Sequence, residues 1–361
     1  MTNQNSVTER AAKLRKAYTG ESRLQALNAI QTSVRGDVLE ALRAMPELVD
    51  PELTRYIPRD GYGLLDKLRS AVLPNANSWQ QELLDLFVLI SLREFEHLPL
   101  SLRAEAADRS EVVASVSPHQ DHLVVHCHPG MESTFLATLV ATRSDNGRTR
   151  GDGLPCIRFK RKRQQVEVSL IGSRSHPEGA RLKVPGVHQN AWNDLLEYIE
   201  YLDASRRLYR SPISDEPPGK VEEAALDKVL HWHRHHVMAS KLARRIGLIA
   251  GSNILDAWAV SGGIYTVEFQ SPWRRSIPEV AQKLRHPVAG FISLYPQFAS
   301  SWSVHEYSTI TVVEDGGEFP IRTSAGPDRG KTPVLQIRAI IGSQAAQTLP
   351  PVSNSRNGGR R

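Results

Sequence analysis

Val112-Val113-Ala114-Ser115-Val116-Ser117-Pro118-His119-Gln120-Asp121-His122-Leu123-Val124-Val125-His126-Cys127-His128 is where the chain changes character. A valine-rich run, a turn-forming Pro-His-Gln-Asp segment and a second β-branched run predict an antiparallel hairpin. Pro129-Gly130 closes the second strand, and residues 133–142 read as a helix. Further on, 157–163 and 166–171 predict a second hairpin, and an amphipathic helix spans about 190–208. Strand, strand, helix, strand, strand, helix is the order expected of a central antiparallel sheet with helices on one face. The fold class expected is therefore α+β.

Residues 1–110 read as a helical region. Leu14, Ala17 and Tyr18 share helical spacing, Thr19-Gly20 breaks it, and Leu24, Leu27 and Ile30 resume it. Such a corner is also compatible with a helix-turn-helix. Ser78 and Gln81 make a capping-box pattern before a helix expected over 79–97, with Trp79, Leu83, Leu86 and Ile90 on one stripe. The α+β domain is expected over 111–212, and Pro217-Pro218-Gly219 marks 213–220 as a linker. The region 221–345 reads as a long helix, 221–248, followed by a strand-rich domain with strands at 264–269, 291–295, 309–313 and 334–341. Residues 346–361 have the composition of a disordered basic tail.

With 40% apolar and 23% charged residues, the 361-residue chain has the makings of a soluble globular protein of two or three domains. Two cysteines, Cys127 and Cys156, cannot form a disulfide framework. With no signal-peptide pattern and no apolar run of about 20 residues, a cytoplasmic protein without a membrane partner is expected.

Charge is concentrated within 143–163. Eight cations there oppose Asp145 and Asp152, leaving +6, the formal net charge of the entire chain. Such a field attracts polyanions, of which phosphate backbones are the most abundant. Arg158, Lys160 and Lys162 alternate with Phe159, Arg161 and Arg163, which puts charge on both faces of one strand. Arg148, Arg150, Arg158, Lys160, Arg161 and Lys162 are the expected phosphate contacts of a nucleic-acid-binding protein, with DNA ahead of RNA as partner.

His126 and His128 share a strand face and could hold a divalent metal with a third ligand from elsewhere. His-Cys-His on a strand resembles the metal motif of the rolling-circle replication and relaxase nucleases, whose tyrosine attacks a DNA phosphate. The resemblance covers about 111–209 and implies Tyr201 or Tyr198 as nucleophile and His126 and His128 as metal ligands. Pro129-Gly130 ends the strand where that family continues it. A metal-dependent DNA-nicking enzyme is thus the second reading, and a non-enzymatic protein-interaction scaffold the third. Three further patterns are better explained structurally. The cluster His231, His233, His235 and His236 reads as a solvated helix face. Residues 325–332 fit a phosphate-loop pattern but precede an expected strand rather than a helix. Asp256 with Glu268-Phe269-Gln270 distantly suggests a carboxylate nuclease constellation, with Gln270 where a lysine is expected, but acidic pairs at strand edges are common.

Overall fold

The computed structural model describes residues 2–33, 62–92, 98–99, 102, 112–143, 153–171, 179–232, 236–249, 254–260, 264–269, 280, 283–284, 286, 288–290, 307–313 and 334–340. Helices α1 (Thr2–Thr19), α2 (Arg23–Ser33), α3 (Tyr62–Val72) and α4 (Trp79–Ile90) precede strands β1 (Val113–Pro118) and β2 (Leu123–Cys127). Helix α5 (Glu132–Leu139), strands β3 (Ile157–Lys162), β4 (Gln165–Leu170) and β5 (Ala180–Pro185), and helix α6 (Gln189–Ala204) follow. The α+β class holds.

The central sheet is mixed rather than antiparallel. Its order is β1-β2-β5-β4-β3, with β2 and β5 parallel and the other pairs antiparallel. The cause is β5, a strand not anticipated in the sequence, which inserts between the two expected hairpins. Its Leu182 and Val184 are buried while Arg181 is exposed, so it has the period-two signature of a strand with one apolar face.

Register assigns each side chain to a face. Leu123, Leu182, Val168 and Phe159 lie opposite one another across four strands and are all buried. The next row, Val124, Lys183, Glu167 and Lys160, must point the other way. Helices occupy both faces, not one. Arg161, on the Phe159 side, reaches Gln189 of α6; His126, on the Val124 side, approaches Gln25 of α2.

Buried ion pairs fix the helices around this sheet, two of them involving the N-terminal helices. At the α1–α2 corner, Arg15 Nε and Nη2 donate to the Glu21 carboxylate at 2.6 and 3.0 Å. Arg15 also donates to the carbonyls of Val72 and Pro118, tying α1 to α3 and β1. Gly20 has φ +78°, and a Cβ there would stand 2.9 Å from the Ala114 carbonyl oxygen. Thr19-Gly20 is thus a corner packed on β1.

The second pair joins α4 to α8 (His236–Ala243). Ser78 caps α4 by accepting from Gln81 N. The Gln81 side chain does not complete a reciprocal box. It donates to Asp85 Oδ1 at 2.8 Å and accepts from the Arg181 backbone N–H at 2.9 Å. Asp85 Oδ2 accepts from Arg244 Nε at 2.6 Å and Ser240 Oγ at 2.7 Å. Arg244 Nη1 donates to the carbonyls of Pro74 and His119. Helix α4 ends at Ile90, and residues 93–97 of the longer expected helix lie outside the described residues.

Of the helix expected over 221–248, the described residues show α7 (Lys220–Trp232), α8 and a 3-10 turn, Ile246–Leu248. His231 is exposed and His236 lies 3.4 Å from Glu82, while His233 and His235 are outside the described residues. The C-terminal strands β6 (Ile254–Val260), β7 (Ile264–Phe269), β8 (Tyr307–Val313) and β9 (Val334–Ile340) form an antiparallel sheet ordered β6-β7-β9-β8. Strand β6 was not anticipated; its Asp256 is in register with Glu268. Strand β9 occupies the place where a phosphate loop would need a helix. Residues 291–295, 325–332 and 346–361 lie outside the described residues.

At the β1–β2 turn, His119 and His122 stack at 4.2 Å. His122 bonds Asp121 through Nδ1, while its Nε2 faces Lys183 Nζ at 3.2 Å. The Lys183 ammonium can only donate, so His122 accepts there and is neutral. Burial, then the neighbouring His122, lowers the His119 pKa from 6.5 to about 4; burial lowers that of His122 as well. The unfolded chain therefore binds protons near pH 6.5 that the folded chain refuses. The two histidines' contribution to stability is complete above that pH and is lost as pH falls towards about 4. Chemical denaturation across this window is expected to show the decline, and His119→Gln to flatten it.

Candidate nucleic-acid interface at the β3–β4 hairpin

β3 is an edge strand, and Arg163-Gln164 turns it into β4. The six cations named from sequence do not share one environment. Arg158 is only 7% exposed and forms a two-pronged pair with Glu222, Nη1–Oε1 2.9 Å and Nη2–Oε2 3.2 Å. It also donates to the carbonyls of Glu216 and Ile157. Glu222 in turn accepts from Cys156 N at 3.0 Å. Arg158 is therefore removed from the set of phosphate contacts. Helix α7 starts beside the root of β3, and its buried first-turn carboxylate needs that cation.

The stretch read as a linker meets the same strand where Arg158 donates to Glu216 O. Just before it, Phe159 N donates to Pro212 O at 2.7 Å, and Arg210 pairs with Glu216. Arg148 and Arg150 lie outside the described residues. Earlier in the chain, Arg143 stands over the Tyr209 ring at 5.5 Å.

Beyond this covered root, the hairpin carries free-standing charge. Lys160, Lys162 and Arg163 are exposed and Arg161 is half-buried. Lys162 Nζ meets Glu167 Oε2 at 2.8 Å, and this bond holds the Glu167 carboxyl below its usual pKa. The lysine remains 54% exposed, so the pair is a weak surface contact that leaves its charge open to a polyanion. Arg161 Nη1 donates to Gln189 Oε1 at 2.5 Å and its Nε to Arg163 O at 3.1 Å. Its guanidinium lies over the Trp192 ring, 5.9 Å from the centroid. Val187 N donates to Gln164 O at 3.0 Å, which sets the tip beside the start of α6. The first turn of α6 holds no acidic residue, and its cap, His188, makes no side-chain capping bond.

Arg163 has φ +59°, a conformation that favours glycine because the L side chain crowds the backbone. Arg163→Gly is expected to stabilise the fold by about 1 kcal/mol, after the larger entropy loss of glycine is set against the relieved strain. Thermal denaturation of the variant checks this.

The nicking geometry is not assembled. His126 Nε2 lies 3.3 Å from Ser117 Oγ and 3.4 Å from Gln25 Nε2, and burial lowers its pKa. His128 follows β2, its backbone N–H donating to Val112 O. Tyr198 is 7% exposed and Tyr201 57%. Both belong to α6, on the opposite face of the sheet from His126. Among the described residues no three His, Cys, Asp or Glu side chains are grouped to hold a metal. Burial and then Glu132 raise the Cys127 pKa well above the ordinary thiol value.

Sequence reasoning missed Trp192 and Gln189, which position Arg161, and Glu222, which neutralises Arg158. No helix among the described residues is long and apolar enough to cross a membrane. Compared with family models, curated proteins and solved structures, the chain finds no match.

Proposed function

We propose that this protein binds nucleic acid, contacting phosphates through Lys160, Arg161, Lys162 and Arg163 at the distal half of the β3–β4 hairpin. The observation that carries the reading is the separation of roles along one strand. Arg158 at the root is neutralised by a buried carboxylate, whereas among the described residues the four consecutive cations beyond it meet a single carboxylate, Glu167. Edge strands are commonly protected by lysine. Protection does not need charge on both faces, nor an arginine at a turn position that glycine fills more easily. Contacts of this kind give affinity with little base readout. The acid-free first turn of α6 adds a favourable end of a helix dipole beside the tip.

The test is binding of labelled single-stranded and duplex oligonucleotides as salt rises from about 50 to about 200 mM. Four phosphate contacts predict a log–log slope of about −3 to −4, an affinity loss of roughly 100-fold over that range. Absence of binding at the low-salt end, or binding without a salt slope, refutes the reading.

A further inference from the structure

Resting on that reading, we infer that the ligand is single-stranded nucleic acid, one base of which stacks on the outer face of the Arg161 guanidinium while Trp192 supports its inner face. Two separate features favour a single strand over a duplex. The first is the rigid seat of Arg161. Gln189 and the Arg163 carbonyl fix the guanidinium above a half-buried indole. A phosphate contact alone would be served by a freely moving lysine, whereas a fixed planar cation on an aromatic ring is a surface for an unstacked base. In a duplex the bases are already stacked and cannot reach it.

The second feature is the size of the footprint. Beyond its first turn, α6 turns acidic: Asp194, Glu197, Glu200 and Asp203 are all exposed. That stripe repels phosphate and confines a polyanion to the hairpin tip. A duplex presents two phosphate rows over a broad surface, and a single strand presents one. Lys160 and Lys162 share a face two residues apart, about 6.6 Å along the strand, a spacing close to that of successive phosphates in an extended strand. Gln164, Gln189, Asn190 and Asn193 are exposed around the tip and offer amides to base edges without adding charge.

The experiment compares four probes of equal length on the full chain: intact single-stranded DNA, the same strand with abasic sites, single-stranded RNA and duplex DNA. The intact strands are expected to bind about 5- to 150-fold more tightly than the abasic strand. Arg161→Lys, which keeps the charge and loses the plane, should lower intact-strand affinity by a similar factor and leave the salt slope unchanged. Gln189→Ala, a change at an exposed position, should weaken intact-strand binding in the same sense without touching a charge. If abasic or duplex probes bind as tightly as intact single strands, the stacking inference is wrong while phosphate binding stands. If no probe binds at low salt, both fall together.

Discussion

Asp85→Ala is expected to remove about 3–5 kcal/mol of stability, enough to leave a domain of ordinary stability close to unfolding. Asp85 and Arg244 are both fully buried. Removing the carboxylate strands a guanidinium that no water can reach and deprives Ser240 Oγ and the Gln81 amide of their acceptor. Arg244 Nη2 already has no hydrogen-bond partner among the described residues, so losing the carboxylate adds to an existing deficit. The effect should propagate, because the same side chains hold α4, α8, the β1–β2 turn and the Arg181 N–H of β5 together. Replacing both partners by apolar residues, Asp85→Leu with Arg244→Met, should recover much of the loss, since the cost lies in the unpaired charge. Denaturant unfolding measures both variants; a single-variant loss below about 1 kcal/mol would mean that water or another group reaches Arg244.

The other large effect concerns the hairpin. In Lys160→Gln/Lys162→Gln/Arg163→Gly, three of the four open cations are gone while the buried pairs are untouched. At about 50 mM salt the loss in oligonucleotide affinity is expected to be 100-fold or more, by order of magnitude, if each contact releases its counterion. The fold should survive, since none of the three side chains belongs to the buried core and Arg163→Gly relieves a left-handed backbone. Arg158→Met supplies the opposite pattern. It leaves the buried Glu222 carboxylate without its main cation, so stability should fall. Binding measured on the folded fraction should keep its salt slope.

Most of the α+β layout was legible because its signals are local. Ser78 before α4, the valine run of β1, the Pro129-Gly130 stop and the β3–β4 alternation each follow from a few neighbouring residues. What failed depended on distant partners. Strand β5 carries a readable alternation, Ala-Arg-Leu-Lys-Val-Pro, yet nothing local states that it pairs parallel to β2 and so turns the sheet from antiparallel to mixed. The candidate site divides the same way. The basic run was plain in the sequence, but the fate of Arg158 was decided by Glu222, sixty-four residues away. The separation of His126 from Tyr198 and Tyr201 likewise follows from which face α6 covers, a consequence of β5 and its register. Trp192 falls within the amphipathic helix predicted over about 190–208, and its second use emerges from where Arg161 lands.

The hairpin's role in phosphate binding is tested most directly by comparing the salt dependence of single-stranded DNA binding in the unaltered chain and the triple variant. Losing three phosphate contacts should make the log–log slope shallower by about 2 to 3. An identical slope in the two proteins would place the phosphate contacts elsewhere and contradict the proposed interface.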